Sequence, residues 1–217
     1  TGIGFSDYFI PDGDDTAAAL AILHTAGHTV TSAPLRYFED GDHFCAFPGE
    51  LQPSISVVSH AAHVLQLLGD DPTNAYRYIA ERQHNDGRWL GDKWQSAWLY
   101  TTSHAMIVLP YTQYHQQINY AVDEIMRHQA PDGGLGSYHD STAEETAYAV
   151  LGLRHLRRQG VLHEEGKLAL AAAEQWMLDH YQPFRRDAPH LWIDKDAYRP
   201  TRIVRIVELA ATLPEID

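Results

Sequence analysis

The sequence predicts an all-α fold, an (α/α) barrel or toroid of repeated helix pairs, and three observations predict it. Apolar residues recur at helical spacing almost throughout, helix-ending signals fall at regular intervals, and one residue pattern returns about every 44 positions. The periodicity places helices at about 14–26, 54–68, 73–84, 95–109, 113–129, 143–159, 165–181 and 201–213. Gly27, Gly69 and Gly160 stand where C-terminal caps belong, and Pro72 stands where a helix begins. The segment "PLRYFEDGDHFCAFPGE" breaks this rhythm and reads as a short helix and a hairpin around Gly41. No linker-like or low-complexity stretch interrupts the 217 residues, so one domain over 1–217 is expected.

The repeat carries most of the fold argument. "RQHNDGRW" at 82–89 and "HQAPDGGL" at 128–135 share a Gln, then Asp-Gly three residues on, then a large apolar residue. These are Gln83, Asp86, Gly87 and Trp89 in one copy, and Gln129, Asp132, Gly133 and Leu135 in the other. A related helix follows each, "TSHAMIVL" from Thr102 and "TAYAVLGL" from Thr146. The opening helix joins the series, with Asp14, Asp15, Thr16 and Ala17 matching Glu144, Glu145, Thr146 and Ala147. "HVLQLL" from His63 is a weaker fourth copy. A helix pair of this length buries its face only by stacking on its neighbours, which gives a solenoid or a closed ring. The Ala-rich inner helices favour the ring, whose acidic helix starts would lie at the mouth of a central cavity.

Composition narrows the function. With 44% hydrophobic and 21% charged residues the chain has an ordinary globular make-up. No apolar run approaches the roughly 20 residues that span a bilayer, and no signal peptide is visible. The single Cys45 excludes an internal disulfide and a thiolate metal cluster and fits a reducing cytoplasm. A formal charge of −13 argues against nucleic acid as a partner, because phosphate-backbone binding needs a basic face. A small phosphorylated molecule remains compatible where lysines and arginines gather. The chain opens on Thr1 and meets an acidic cluster almost at once, so the start of a longer protein is expected to be absent.

That cluster, in "YFIPDGDDTAAALAIL", puts Asp12, Asp14 and Asp15 into four positions. Capping and the helix dipole account for one or two such acids. Three clustered carboxylates cannot all ionise cheaply, so at least one is pushed toward the neutral form, and a carboxyl that keeps its proton is a Brønsted acid. For Glu144 and Glu145, the capping reading is preferred.

"DGDDTA" resembles the DxDD motif of class II terpene cyclases, which include squalene–hopene cyclases and copalyl diphosphate synthases. The Gln…Asp-Gly…Trp repeats resemble that family's QW repeats in degenerate form. "GDKW" at 91–94, "LWIDKDAYRP" at 191–200 and "FCAFPGE" at 44–50 are similar to stretches of the diterpene branch, and the likeness runs over essentially the whole chain. The resemblance is to bacterial class II diterpene cyclases of the copalyl diphosphate synthase type, the ent-copalyl enzymes among them. It implies a βγ architecture in which this chain supplies the later part of the β domain. The γ domain, the rest of the β domain and an acidic motif that binds magnesium would lie upstream, so Mg2+ is expected with its ligands outside this chain.

The resemblance also implies an isomerase of secondary metabolism. It protonates the terminal alkene of geranylgeranyl diphosphate and cyclises it to a copalyl-type bicyclic diphosphate, retaining the diphosphate. Asp14 would donate the proton with Asp12 and Asp15 in support, and His60 would hydrogen-bond the acid, with His63 its rival one turn along. Lys93, Lys195 and Arg199, or Arg202, would hold the diphosphate. The plainer alternative for these cations is salt bridging with Asp92, Asp194 or Asp196. Trp98 and Tyr100 would line the cavity and stabilise the migrating cation by their ring faces, with core packing as the alternative. The terminating base belongs to the upstream region. The expected partners are an isoprenoid diphosphate and, if the absent half leaves apolar surface uncovered, a second copy in a homodimer; neither nucleic acid nor membrane is expected.

Three other readings of a helical ring make different demands on the residues. A prenyltransferase-like ring needs a zinc site of Asp, Cys and His, for which Cys45 in an apolar setting is a poor ligand. An (α/α) barrel glycosidase needs two carboxylates roughly 6.5–9.5 Å apart, for which Asp14 with Glu144 or Glu145 would serve. A non-catalytic helical-ring binding module would keep its affinity when Asp14 is replaced. The DDxxD motif of class I synthases is not seen.

Overall fold

Helix α1 (Gly13–Thr25) begins where Asp12 caps it, the Asp12 carboxylate accepting the Asp15 N–H at 2.7 Å. The structure is a computed structural model that describes residues 2–4, 6–138, 140–182 and 187–215. The chain packs as two compact units, 1–82 and 83–217.

In the first unit, α1 lays its small residues against α3 (Ile55–Leu68). Ala17, Val57, Val58, Ala61 and Ala62 are completely buried there, so the Ala-rich sequence buys close helix approach. Helix α3 ends at Gly69, whose φ of 77° is the left-handed cap expected of it. Between these helices lie the short α2 (Ala33–Arg36) and a hairpin of β1 (Glu39–Asp40) and β2 (His43–Phe44), turning at Gly41 with φ 64°. This is the helix and hairpin that the broken rhythm predicts. Helix α4 (Thr73–Ala80) packs on α3 and β2.

The second unit holds α5 (Trp98–Val108), α6 (Tyr111–His128), α7 (Ala143–Arg158), α8 (Glu164–His180), a hairpin of β3 (Trp192–Ile193) and β4 (Ala197–Tyr198), and α9 (Thr201–Thr212). Helix α7 packs against α5, α8 and α9 and is buried nearly all round. Even Arg154 is buried, satisfied by Glu174 at 2.6 Å and by the carbonyls of Ala210 and Leu213 at the end of α9.

The repeat is written in hydrogen bonds. Gln83 Nε2 donates to the Gly87 and Gln117 carbonyls, both at 2.8 Å, and Gln129 Nε2 donates to those of Gly133 (2.9 Å) and Ala169 (2.8 Å). A Cβ at Gly87 or Gly133 would meet the carbonyl oxygen of Tyr120 or Ala172 at 2.7 and 2.5 Å, so glycine is required twice for the same reason. Thr146 Oγ1 accepts the Leu135 N–H (2.9 Å) and donates to its carbonyl (3.2 Å). Thr102 does the same with Trp89 at 3.0 and 3.5 Å, and Thr16 with Ile3 at 2.9 and 3.2 Å. The threonines that align the three sequence copies are therefore the ones that clamp each incoming loop to its helix.

Two expected boundaries shift. Helix α4 stops at Ala80 rather than 84, and α5 starts at Trp98 rather than 95. Residues 94–96 run extended instead, pairing with the β3 segment through Ser96 N–H to Leu191 O (2.8 Å) and Ile193 N–H to Trp94 O (2.9 Å). That hairpin is absent from the sequence-based elements. Among the described residues no helix is long and apolar enough to cross a membrane.

Candidate active site

The first turn of α1 holds the acid cluster. Gly13 sits so close to the hairpin's exit that a Cβ there would lie 2.2 Å from the Cys45 carbonyl oxygen, and its N–H donates to Ala46 O at 2.8 Å. Glycine is thus what lets Asp12 and Asp14 flank that contact. Asp12 is buried, and its pKa is raised from 3.8 to about 6: burial is the main cause, opposed by the Asp15 N–H and reinforced by the charges of Asp15 and Asp14. Asp14 Oδ1 meets His60 Nδ1 at 2.6 Å, with both side chains about one-third exposed (35% and 30%). Asp15 supplies the N–H that Asp12 accepts. The structure therefore brings together Asp12, Asp14, Asp15 and His60. His63 lies on the solvent side of α3, and its pKa is lowered by desolvation and by the neighbouring His60 charge.

In the second unit, the two lysine motifs meet. "GDKW" and "LWIDKD" form one short ladder, because Trp94 O and Leu191 O accept from opposite sides of the pairing. Lys93 is exposed, its Nζ 4.8 Å above the Trp94 ring, while Asp92 Oδ2 accepts the Trp94 N–H at 3.0 Å. Lys195 is exposed in the β3–β4 turn, and Arg202 is exposed in the first turn of α9. Arg199 is placed differently: its guanidinium donates to Glu208 at 3.0 Å in a buried ion pair, with side chains 9% and 4% exposed. Trp98 and Tyr100 are both buried. Trp98 meets His128 edge-on at 5.2 Å, and Tyr100 meets Tyr148 at 5.0 Å and Trp192 at 5.4 Å in the same T-shaped manner.

Glu144 corrects a sequence reading. Glu145 takes part in the cap of α7: its N–H donates to the hydroxyl of the N-cap residue Thr142 at 3.1 Å, and its Oε2 accepts from that hydroxyl at 2.8 Å. Glu144 instead turns inward, 3% exposed, with Oε1 accepting from Gln95 at 3.0 Å and Trp192 Nε1 at 2.7 Å. Its Oε2 is buried and has no hydrogen-bond partner among the described residues. Burial raises the Glu144 pKa from 4.5 to about 7; the Trp192 N–H and the Arg199 charge pull it down, and the charges of Glu208 and Glu145 push it up. Glu144 and Glu208 border a cavity of about 170 Å3, whose wall also includes Thr142 and Leu191 but neither Trp98 nor Tyr100. The repeat already aligned Glu144 with Asp14 of the acid cluster, the sign in the sequence that Glu144 is more than a cap acid.

Magnesium takes oxygen ligands in near-octahedral geometry. Among the described residues, one group of three metal-ligating side chains converges: Asp40, His43 and Cys45, with ligand atoms within 4.8 Å of one another. A carboxylate, an imidazole and a thiol do not fit magnesium.

The chain is similar to known proteins over most of its length. Residues 52–155 match the family model described as squalene-hopene cyclase C-terminal domain. The chain is 47% identical over 212 residues to (+)-kolavenyl diphosphate synthase of Herpetosiphon aurantiacus, covering 98% of this chain and 41% of that protein. It is 33% identical over 216 residues to ent-copalyl diphosphate synthase of Streptomyces sp. (strain KO-3988), covering 93% of this chain and 40% of that protein. Among solved structures, ent-copalyl diphosphate synthase from Streptomyces platensis superposes with a TM-score of 0.84 at 28% identity, over 97% of this chain and 43% of that one. The chain spans about two-fifths of the length of the curated relatives it matches. It is homologous to the class II diterpene cyclases, the copalyl and kolavenyl diphosphate synthases among them, and has their mostly helical terpene cyclase fold.

Proposed function

We propose that this chain carries the proton-donating centre of a class II diterpene cyclase. The reading rests on the Asp14–His60 hydrogen bond of 2.6 Å, set in a cluster whose neighbouring Asp12 has its pKa raised to about 6. An alkene is a very weak base, so its catalyst must hold a proton near neutral pH and stabilise the charge left behind. Crowding and burial supply the first condition. His60 supplies the second, donating Nδ1–H to Asp14 Oδ1 and leaving Oδ2 to carry the acidic proton. In the step itself the Asp14 O–H bond breaks, and the π electrons of the terminal alkene form the new C–H bond. The resulting tertiary cation is captured in turn by the inner alkenes, and loss of a proton from the final cation ends the sequence. No C–O bond breaks, so the diphosphate is retained.

Geranylgeranyl diphosphate is the substrate proposed, and the product is a bicyclic diphosphate of copalyl or kolavenyl type, after the names of the homologues. Lys93 and Lys195 would face the diphosphate as point charges. Arg199, tied to Glu208, would act there only by giving up a buried ion pair. Trp98 and Tyr100 would stabilise the cation through ring faces. Magnesium, when bound, would neutralise the diphosphate, with ligands other than the described residues.

The test is incubation of the longest polypeptide containing this chain with geranylgeranyl diphosphate and magnesium, beside Asp14→Asn. Dephosphorylation and mass spectrometry should find a bicyclic diterpene alcohol from the first and none from the second. A folded, full-length protein that turns over no C15 to C30 isoprenoid diphosphate would overturn the proposal and favour a binding module.

A further inference from the structure

The β1–β2 hairpin aligns three donors of different chemistry on one face. His43 and Cys45 are two residues apart on an extended segment, so their side chains project the same way. Asp40 is the register partner of His43 across the hairpin, which puts it on that face too. The pairing extends past the strand, Cys45 N–H donating to Phe38 O at 2.9 Å. Cys45 Sγ lies 3.9 Å from His43 Nε2 and 4.0 Å from Asp40 Oδ2. Tetrahedral zinc with bonds of about 2.0–2.3 Å separates its ligands by roughly 3.5 Å, so the two distances to Cys45 need close by about half an ångström and the full set, which lies within 4.8 Å, by about 1.3 Å at most.

The surroundings match a metal site as well. His43 Nδ1 bonds Asp42 Oδ1 at 3.1 Å, which holds the ring in the tautomer with a lone pair on Nε2, the atom that faces Cys45. The Tyr78 ring stacks on His43 at 4.6 Å and fixes its plane. Cys45 is wholly buried, the setting that makes it a poor ligand on sequence alone, but the hairpin sets it beside His43 and beside Asp40, which is exposed and gives an ion a way in.

We propose that Asp40, His43 and Cys45 form a zinc(II) site with an open fourth position. Thiolate, imidazole and carboxylate are the donor set that zinc accepts and that magnesium and calcium do not. Binding exchanges the Cys45 S–H proton, released to solvent, for an S–Zn bond, and two anionic ligands balance the charge of the ion. The Cys45 carbonyl is the atom that presses on Gly13, so an ion here would stiffen the backbone on which the acid cluster is seated. The site itself stands independently of the cyclase reading.

Cobalt(II) is the probe. Tag-free protein stripped with a chelator and titrated with Co2+ should develop, at about one equivalent, a near-ultraviolet thiolate-to-cobalt band and visible bands of tetrahedral intensity. Zn2+ should then bleach both. Cys45→Ser should lose the near-ultraviolet band while its metal-free circular dichroism and melting match the metal-free parent. Asp42→Asn should weaken Co2+ binding by about tenfold to a hundredfold. Folded parent protein that gives no thiolate band at saturating Co2+, or a band that survives Cys45→Ser, would overturn the proposal.

Discussion

Replacing Glu144 by Gln should flatten the pH dependence of stability. Because burial holds the protonated form of Glu144 in the native state, the folded pKa of about 7 stands above the ordinary 4.5. Between these values the native chain binds more protons than the unfolded one, so stability falls as the pH rises. The contribution is fully present below 4.5 and gone once the pH passes about 7. At ~1.4 kcal/mol for each tenfold change in proton affinity, the loss is about 3 kcal/mol. Gln keeps the shape and an acceptor for Trp192 and Gln95, and it has no charge to bury. Urea melts of parent and Glu144→Gln at half-unit steps from pH 4 to 8 give the difference directly, and the Asp12 contribution, common to both, cancels. The variant should match the parent or be less stable at pH 4 and gain on it by about 3 kcal/mol by pH 8. Parallel curves would show that Glu144 is ionised in the folded chain at neutral pH and would refute the reasoning.

Thr146→Val leaves the buried Leu135 N–H unsatisfied, while the Leu135 carbonyl still accepts from Thr142 N–H, and should cost about 1–3 kcal/mol in urea unfolding. Gly133→Ala and Gly160→Ala both force alanine to positive φ, but only at Gly133 does the new Cβ meet a backbone atom at 2.5 Å; thermal melts should show the former as the more damaging by at least about 1 kcal/mol. In a cyclisation assay, kcat/KM should fall as the pH rises through about 6, where Asp12 loses the proton that burial holds on it. His60→Ala should lower kcat by about a hundredfold with a smaller change in KM, since His60 acts on the acid rather than on the diphosphate.

What was legible in the sequence was what local chemistry decides. Helix periodicity, the glycine caps at Gly69 and Gly160, and the short helix and hairpin around Gly41 follow from residues a few positions apart. The repeat went further, because Gln83, Gln129, Thr102 and Thr146 recur only when the same backbone groups need satisfying in each copy. What local spacing hides is what distant partners impose. Residues 94–96 leave the helical pattern because Leu191 and Ile193 pair with them. Arg199 finds Glu208 on the next helix rather than the aspartates beside it in sequence. Asp14 and His60 meet through the α1–α3 packing, and only the resemblance pointed to His60 ahead of His63. Glu144 reads as a cap acid until Trp192 and Gln95 close over it. Asp40, His43 and Cys45 converge only through the hairpin register.

The central claim is that cyclisation starts with a proton from Asp14. Turnover of geranylgeranyl diphosphate in D2O tests it most directly, because the exchangeable Asp14 proton becomes a deuteron and ends as a C–D bond. A bicyclic product carrying a single deuterium on the ring carbon that was the CH of the terminal alkene is expected, and no product from Asp14→Asn. A cyclic product free of deuterium, or a deuterated product still formed by Asp14→Asn, would contradict it.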